Sequence, residues 1–278
     1  MERQRPTPLP PAHPAPEAGC GEGSVPVRRL RLGLGTWVAI ETRGCSAACA
    51  LQAVEAAYAR IRHIETCMHP HRPGSDLARL GAAAPGEPVA IDRDTWAVLD
   101  FSQRLFEQTQ GVFDPCLPQG RGRLCDLQLS PGADPAWACP RLPVQVDCGG
   151  IAKGYAVDQA LAALRAAGCT QGLVNAGGDL RVFGAHSQTL LLRCPDGSYL
   201  PCELRDAALA VSDLDAPRPP AEHRGYYRRR GAAVNARRFA AVRAPEAMVA
   251  DALTKCVVLC EPPQAQRLVR ELSAQILA

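Results

Sequence analysis

The chain has 278 residues, enough to bury one large core or two small ones, and a formal net charge of only +3. That near-neutral balance, with aromatic residues at 5%, argues against a nucleic-acid partner. No stretch reaches the ~18 uncharged apolar residues of a membrane span, and the start has neither a signal-peptide core nor a lipid-attachment pattern.

Residues 1–26 are rich in Pro and Gly without periodicity and read as a disordered tail, leaving 27–278 as one folded region. "RLRLGLGTWVAIET" (29–42) alternates as a strand. "SAACALQAVEAAYARIRHIETCM" (46–68) places Leu51, Val54, Tyr58, Ile61 and Ile64 on one helical stripe. Ser75 is a plausible N-cap for "SDLARL". A further helix is expected over about 93–109, burying Trp96, Leu99, Leu105 and Phe106, with Gly111 as its stop. Residues 117–143 read as an irregular excursion, and "VQVD" (144–147) as a short strand feeding a helix from about 150 to 167. Strands follow at 172–176, 179–183, 189–194, 198–204 and 207–212, and helices near 246–259 and 263–277 close the chain.

Of 31 basic side chains, only Lys153 and Lys255 are lysines. Lys153 lies in "VDCGGIAKGYAVD" (146–158), where a strand ending at Asp147 would meet a helix opening after Gly149 and Gly150. Free N–H groups and the positive end of the helix dipole favour an anion there, and a compact ammonium suits a phosphate oxygen. A solvated lysine at an ordinary helix start remains the plain alternative. Lys255 lies in "MVADALTKCVVL" (248–259), where Asp251 and Thr254, three apart on a helix, would turn two hard oxygen donors the same way, as Mg²⁺ prefers. A capped amphipathic helix explains the same pattern.

With those residues in view, the stretch "VDCGGIAKGYAVDQALAALRAAGCTQGLVNAGGDLRVFG" resembles the signature region of the ApbE family, the FAD:protein FMN transferases. "LGLGTWVAI", "HRPGSDLARL", "TQGVFDP" and "MVADALTK" resemble four more of its segments, in the matching order. The resemblance implies a mixed α/β fold, a mixed sheet flanked by helices with a ligand groove between two lobes. It implies that Asp147 and Lys153 contact FAD, that Val112, Phe113 and Asp114 hold its adenine-nucleotide end, and that Leu34 and His71 line the flavin site. Gly150 would offer its carbonyl to Mg²⁺ and Asp251 would be its chief carboxylate and a catalytic group; Thr254 as a further ligand and Lys255 as a second catalytic group are this chain's own candidates. The implied reaction is Mg²⁺-dependent attack by a threonine hydroxyl of an acceptor protein on the FMN phosphorus, with AMP leaving. An FAD pyrophosphatase, or a flavin-binding homologue without turnover, would keep the same groove.

The chain departs from the family pattern in four places. The residue four after Asp251 is Lys255 where the family has Thr; either Thr254 serves as ligand, or the Lys255 ammonium takes over part of the metal's charge-neutralising work. The family's His-x-Ile-Asp-Pro segment is replaced by "AEHRGYYRRRGAAVN" (221–235), in which His223 could substitute for the histidine. Leu34 and His71 stand where Met and Tyr are common. Family transferases mostly work outside the cytoplasm, whereas this start has no export signal, so a cytoplasmic protein and acceptor are expected. Two further groups stand out: "HIETCMHPH" (63–71), poorly spaced for Zn²⁺, and Ser212–Asp213, a site-edge turn rather than a nucleophile.

Overall fold

The structure is a computed structural model and describes residues 26–132, 135–214 and 238–278. The tail before residue 26 and the 221–235 segment with His223 lie outside the described residues.

The stretch read as one strand is a hairpin of β1 (Val27–Gly33) and β2 (Thr36–Arg43). Leu34 and Gly35 form its turn, both with positive φ (54° and 70°), the geometry a two-residue hairpin loop requires. The Leu34 N–H donates to Glu65 Oε1 at 3.0 Å. Helix α1 (Ala47–Cys67) buries Val54, Tyr58, Ile61 and Ile64 as expected, but Leu51 is exposed. Ala50, Ala53 and Ala57 fill the contact instead, because small residues let α1 lie close to its neighbour α4 (Ala152–Ala166). Ser75 caps α2 (Asp76–Ala82) by accepting from Ala78 N–H. Helix α3 (Arg93–Gln108) buries Leu99 and Leu105, while Trp96 and Phe106 are only partly covered. Gly111, at φ 78°, closes its C-terminal turn by donating to Phe106 O at 2.7 Å.

Residues 117–143 correct the expectation of an irregular excursion. A 3₁₀ turn (Leu124–Asp126) leads into β4 (Leu127–Ser130) and β5 (Ala136–Pro140), and β5 pairs with both β4 and β3 (Val89–Ile91). Each strand is too short to announce itself by alternation. The expected strand at 144–147 reduces to one bridge, Cys116 with Val146.

The main sheet, among the described residues, runs β1-β2-β6-β7-β10-β11-β12, every pairing antiparallel. Its later strands are β6 (Gln171–Ala176), β7 (Asp179–Phe183), β10 (Ala208–Asp213), β11 (Phe239–Ala244) and β12 (Gln275–Ile276). The hairpin of β8 (Gln188–Arg193) and β9 (Tyr199–Leu204) forms a separate small apolar cluster with β7 through Leu180, Val182, Cys202 and Leu204. Sequence reading missed β11, and it took β12 into the last helix. Helix α6 in fact ends at Glu271 (Pro262–Glu271), and Ser273, at φ 52°, turns the chain back to pair with β11. Helices α1, α4 and α5 (Ala247–Leu259) pack side by side against the sheet, giving the expected combination of helices and sheets. The sheet itself, expected as mixed, is antiparallel throughout the described residues, because hairpins join β1 to β2 and β6 to β7 and each later strand runs opposite to its neighbour. No described helix is long and apolar enough to cross a membrane.

Candidate functional site

The site grows from the contact between α4 and α5. Gly154 makes that contact possible: a Cβ there would lie 2.2 Å from Ala247 O and 2.8 Å from Asp251 Cβ. Neither helix has a side-chain cap of its own. Each is instead bonded by the other. Asp251 Oδ2 accepts the Gly154 N–H at 3.0 Å, in the first turn of α4. Asp158, on α4, accepts Ala247 N–H at 2.9 Å and Met248 N–H at 2.8 Å, in the first turn of α5. Both carboxylates therefore meet orphan N–H groups and the positive ends of helix dipoles. Arg181 Nη1 completes the Asp158 contacts at 2.7 Å.

Both lysines of the chain gather at this junction. Lys255 donates to Asp251 Oδ1 and Lys153 to Asp179 Oδ2. Asp251 and Lys255 are buried at 0% and 3% exposure, and Asp179 at 1%, whereas the Lys153 side chain keeps 31%. Burial opposes ionisation of Asp251, but Lys255, Lys153 and the Gly154 N–H outweigh it and hold the carboxyl below its usual range. Asp179 is pushed upward, by burial first and then by the nearby Asp251 charge, against the pull of the two lysines. Two neighbouring carboxyls with opposite shifts mark a site where charge is arranged for use.

A small cleft lies beside this cluster, lined by Phe113, Asp114, Pro115, Asp147, Gly150, Ile151 and Lys255. Asp147 turns the chain into α4 by accepting Gly149 N–H at 2.8 Å. The opposite wall is held by Asp114, which accepts from Cys116 N–H (3.0 Å), Leu124 N–H (3.3 Å) and Arg123 Nε (3.0 Å). Arg123 also donates to Gly111 O at 2.7 Å and lies 4.8 Å from the Phe106 ring centroid.

Five residues singled out from the sequence thus share the cleft: Phe113, Asp114, Asp147, Gly150 and Lys255. Asp251 adjoins it through Lys255, and Lys153 lies near Asp251 without lining the cleft. Val112 packs against the core, Leu34 sits in the hairpin turn by Glu65, and His71 is exposed. The Thr254 hydroxyl bonds to β10 and to its own helix. The residue is fully buried, its hydroxyl 2.7 Å from Ser212 Oγ on β10 and donating to Asp251 O at 2.7 Å. Ser212 is therefore a core partner of α5. The 63–71 stretch does not converge as one group. His63 Nε2 lies 2.9 Å from Asp92 Oδ2 and 3.7 Å from Cys67 Sγ, while His69 and His71 stack edge to face at 6.3 Å. Sequence reading missed Asp179, Arg123 and the capping role of Asp158. Only "GGD" hinted at the first, and nothing local marks the other two.

The donors do not fit a divalent cation as the family pattern would have it. Asp251 carries the Lys255 ammonium on one oxygen and a backbone N–H on the other, and the Thr254 hydroxyl is bonded within the core. A cation at Asp251 would have to share its oxygen with an ammonium, and like charges repel in so dry a setting.

Comparison with known proteins agrees with this architecture. The ApbE family profile matches residues 34–127 and 121–212. An FAD:protein FMN transferase of Rhodobacter capsulatus is 30% identical over 180 residues, 55% of this chain and 34% of that protein. Another, of Treponema pallidum (strain Nichols), is 27% identical over 160 residues, 48% of this chain and 44% of the relative. The chain thus spans less than half the length of either. Among solved structures, the flavinyl transferase ApbE of Pseudomonas stutzeri in its apo form superposes with a TM-score of 0.72 at 17% identity, covering 91% of this chain and 90% of that one. The apbe protein of Thermotoga maritima gives 0.73 at 19% identity, over 91% and 94%. Those likenesses establish the fold, and the matched segments establish the lineage: the chain belongs to the ApbE family.

Proposed function

We propose that the region 27–278 is a flavin transferase domain that moves FMN from FAD to a threonine of an acceptor protein. In the reaction the threonine Oγ–P bond forms and the bridging P–O bond of the diphosphate breaks. AMP carries away the bridging oxygen, and the hydroxyl proton passes to solvent. One observation carries this reading: Lys255 lines a cleft walled by Phe113, Asp114, Asp147 and Gly150, and behind it Asp251 holds Lys255 while Asp179 holds Lys153 close by. Ammonium groups and the α4 N-terminus set beside a cleft suit a diphosphate, whose developing charge must be neutralised as the bridge breaks. The names of the two aligned relatives support FAD as the substrate and a protein as the acceptor.

In this reading Lys153, partly exposed, turns from Asp179 toward the diphosphate, while Asp251 holds the Lys255 ammonium in place. Phe113 and Asp114 bound the adenine-nucleotide end, and Leu34 and His71 edge the flavin. The Mg²⁺ expected from the resemblance, with Gly150, Asp251 and Thr254 as its ligands, meets the altered donor set described above, so no step is assigned to it. We place the protein in the cytoplasm, where its 13 cysteines would stay as thiols.

The test is to incubate the protein with FAD and an acceptor peptide carrying a Ser/Thr-Gly-Ala-Thr-like motif. Transfer gives AMP and a flavin-fluorescent peptide band. AMP without the band means that water is the acceptor, and neither product means binding without turnover.

A further inference from the structure

We infer that Lys255 is a built-in replacement for a divalent cation, so that this chain binds the diphosphate of its nucleotide without added metal. The inference rests on the dinucleotide reading above and deepens it. Three observations lead there. Lys255 stands four residues after Asp251, one helical turn along the same face of α5, and its ammonium meets Asp251 Oδ1 in the buried floor of the cleft. Second, the remaining Asp251 oxygen accepts the Gly154 N–H at 3.0 Å, so the carboxylate is oriented by one helix and neutralised by its own. Third, the Thr254 hydroxyl is 2.7 Å from Ser212 Oγ and donates to Asp251 O, so both its bonds are made within the core.

The contacts point the same way. Asp251 already carries the Lys255 ammonium on one oxygen and the Gly154 N–H on the other. A dication added there would have to sit beside that buried ammonium, which repels it. A diphosphate approaching the cleft instead meets Lys255 and the N-terminus of α4, with Lys153 partly exposed nearby. The residue type matters as well. A chain that writes its other 29 basic residues as arginine uses the compact ammonium only at these two positions. A planar guanidinium is wider than a point charge and brings five donors, each of which the buried surroundings of Asp251 would have to satisfy.

The experiment measures FAD binding to the full chain by quenching of flavin fluorescence, once in EDTA and once with MgCl₂. The inference expects the two dissociation constants to agree within about threefold. It expects Lys255→Thr, which places a hydroxyl one turn after Asp251, to bind FAD at least ~10-fold more weakly in EDTA and to recover with Mg²⁺. Titrating Mg²⁺ alone by calorimetry should give no heat with the wild-type chain and a binding isotherm with Lys255→Thr. Wild-type binding that requires Mg²⁺ would overturn the inference and leave the transferase reading standing. No FAD binding in either buffer would overturn both. The wild-type comparison needs no variant, so a poorly folding Lys255→Thr protein does not shelter the idea.

Discussion

Asp158 on α4 and Asp251 on α5 cap each other's helices. Asp158 accepts two N–H groups from the first turn of α5, and Asp251 accepts one from the first turn of α4. The reciprocal arrangement fixes the relative position of the two helices that carry the lysines. It makes the site as stable as the packing beneath it, and it yields tests that do not depend on turnover.

Asp158→Ala should lower stability by about 3 kcal/mol, because it orphans two helix N–H groups and leaves Arg181 without its buried partner. Urea denaturation checks this, and an unchanged midpoint would contradict the capping role.

The same residue predicts a pH dependence. Burial, working against Arg181 and the two N–H donors, raises the Asp158 carboxyl above its ordinary 3.8. The native state therefore holds this proton to higher pH than the unfolded chain does. Its contribution is full below about 3.8 and falls as pH rises through the folded value. The stability advantage of wild type over Asp158→Asn should accordingly shrink with rising pH across that window, read from paired denaturation curves.

Gly154→Ala should destabilise by about 3 kcal/mol, since its methyl would lie 2.2 Å from the Ala247 carbonyl oxygen, and backbone cannot give way as a flexible side chain can. Thermal melting measures the loss. The same variant should weaken FAD binding, because separating α4 from α5 removes the Gly154–Asp251 bond.

Arg123→Ala should loosen the cleft wall. It removes the bonds to Asp114 and Gly111 O and the contact over Phe106. The expected result is a ~10-fold weaker dissociation constant for FAD, which corresponds to ~1.4 kcal/mol. Arg123→Lys should recover little, since an ammonium cannot fork between the two acceptors.

Ser212→Ala and Thr254→Val should each cost ~1 kcal/mol of stability and be strongly non-additive, because each removes the same 2.7 Å hydroxyl pair. A double-mutant cycle with no coupling would argue that the Thr254 hydroxyl serves elsewhere.

Much of this protein was legible in its residues. The stripes of α1 and α3, the Ser75 cap and the five strands from 171 to 213 follow from periodicity and capping chemistry, which are local. The scarcity of lysine drew attention to positions 153 and 255, and the five family-like segments placed both in one site. Other features depend on partners far along the chain. Strands β4 and β5 exist because β5 pairs between β3 and β4, and β12 because the chain turns back at Ser273 to meet β11. No local pattern states that Asp158 caps a helix 89 residues later, or that Asp251 divides its oxygens between Lys255 and the Gly154 N–H. Sequence alone determined which groups could carry charge; only tertiary packing decided which charges meet, because burial and distance, rather than residue type, set whether a carboxylate is satisfied by a lysine, an N–H or an ion.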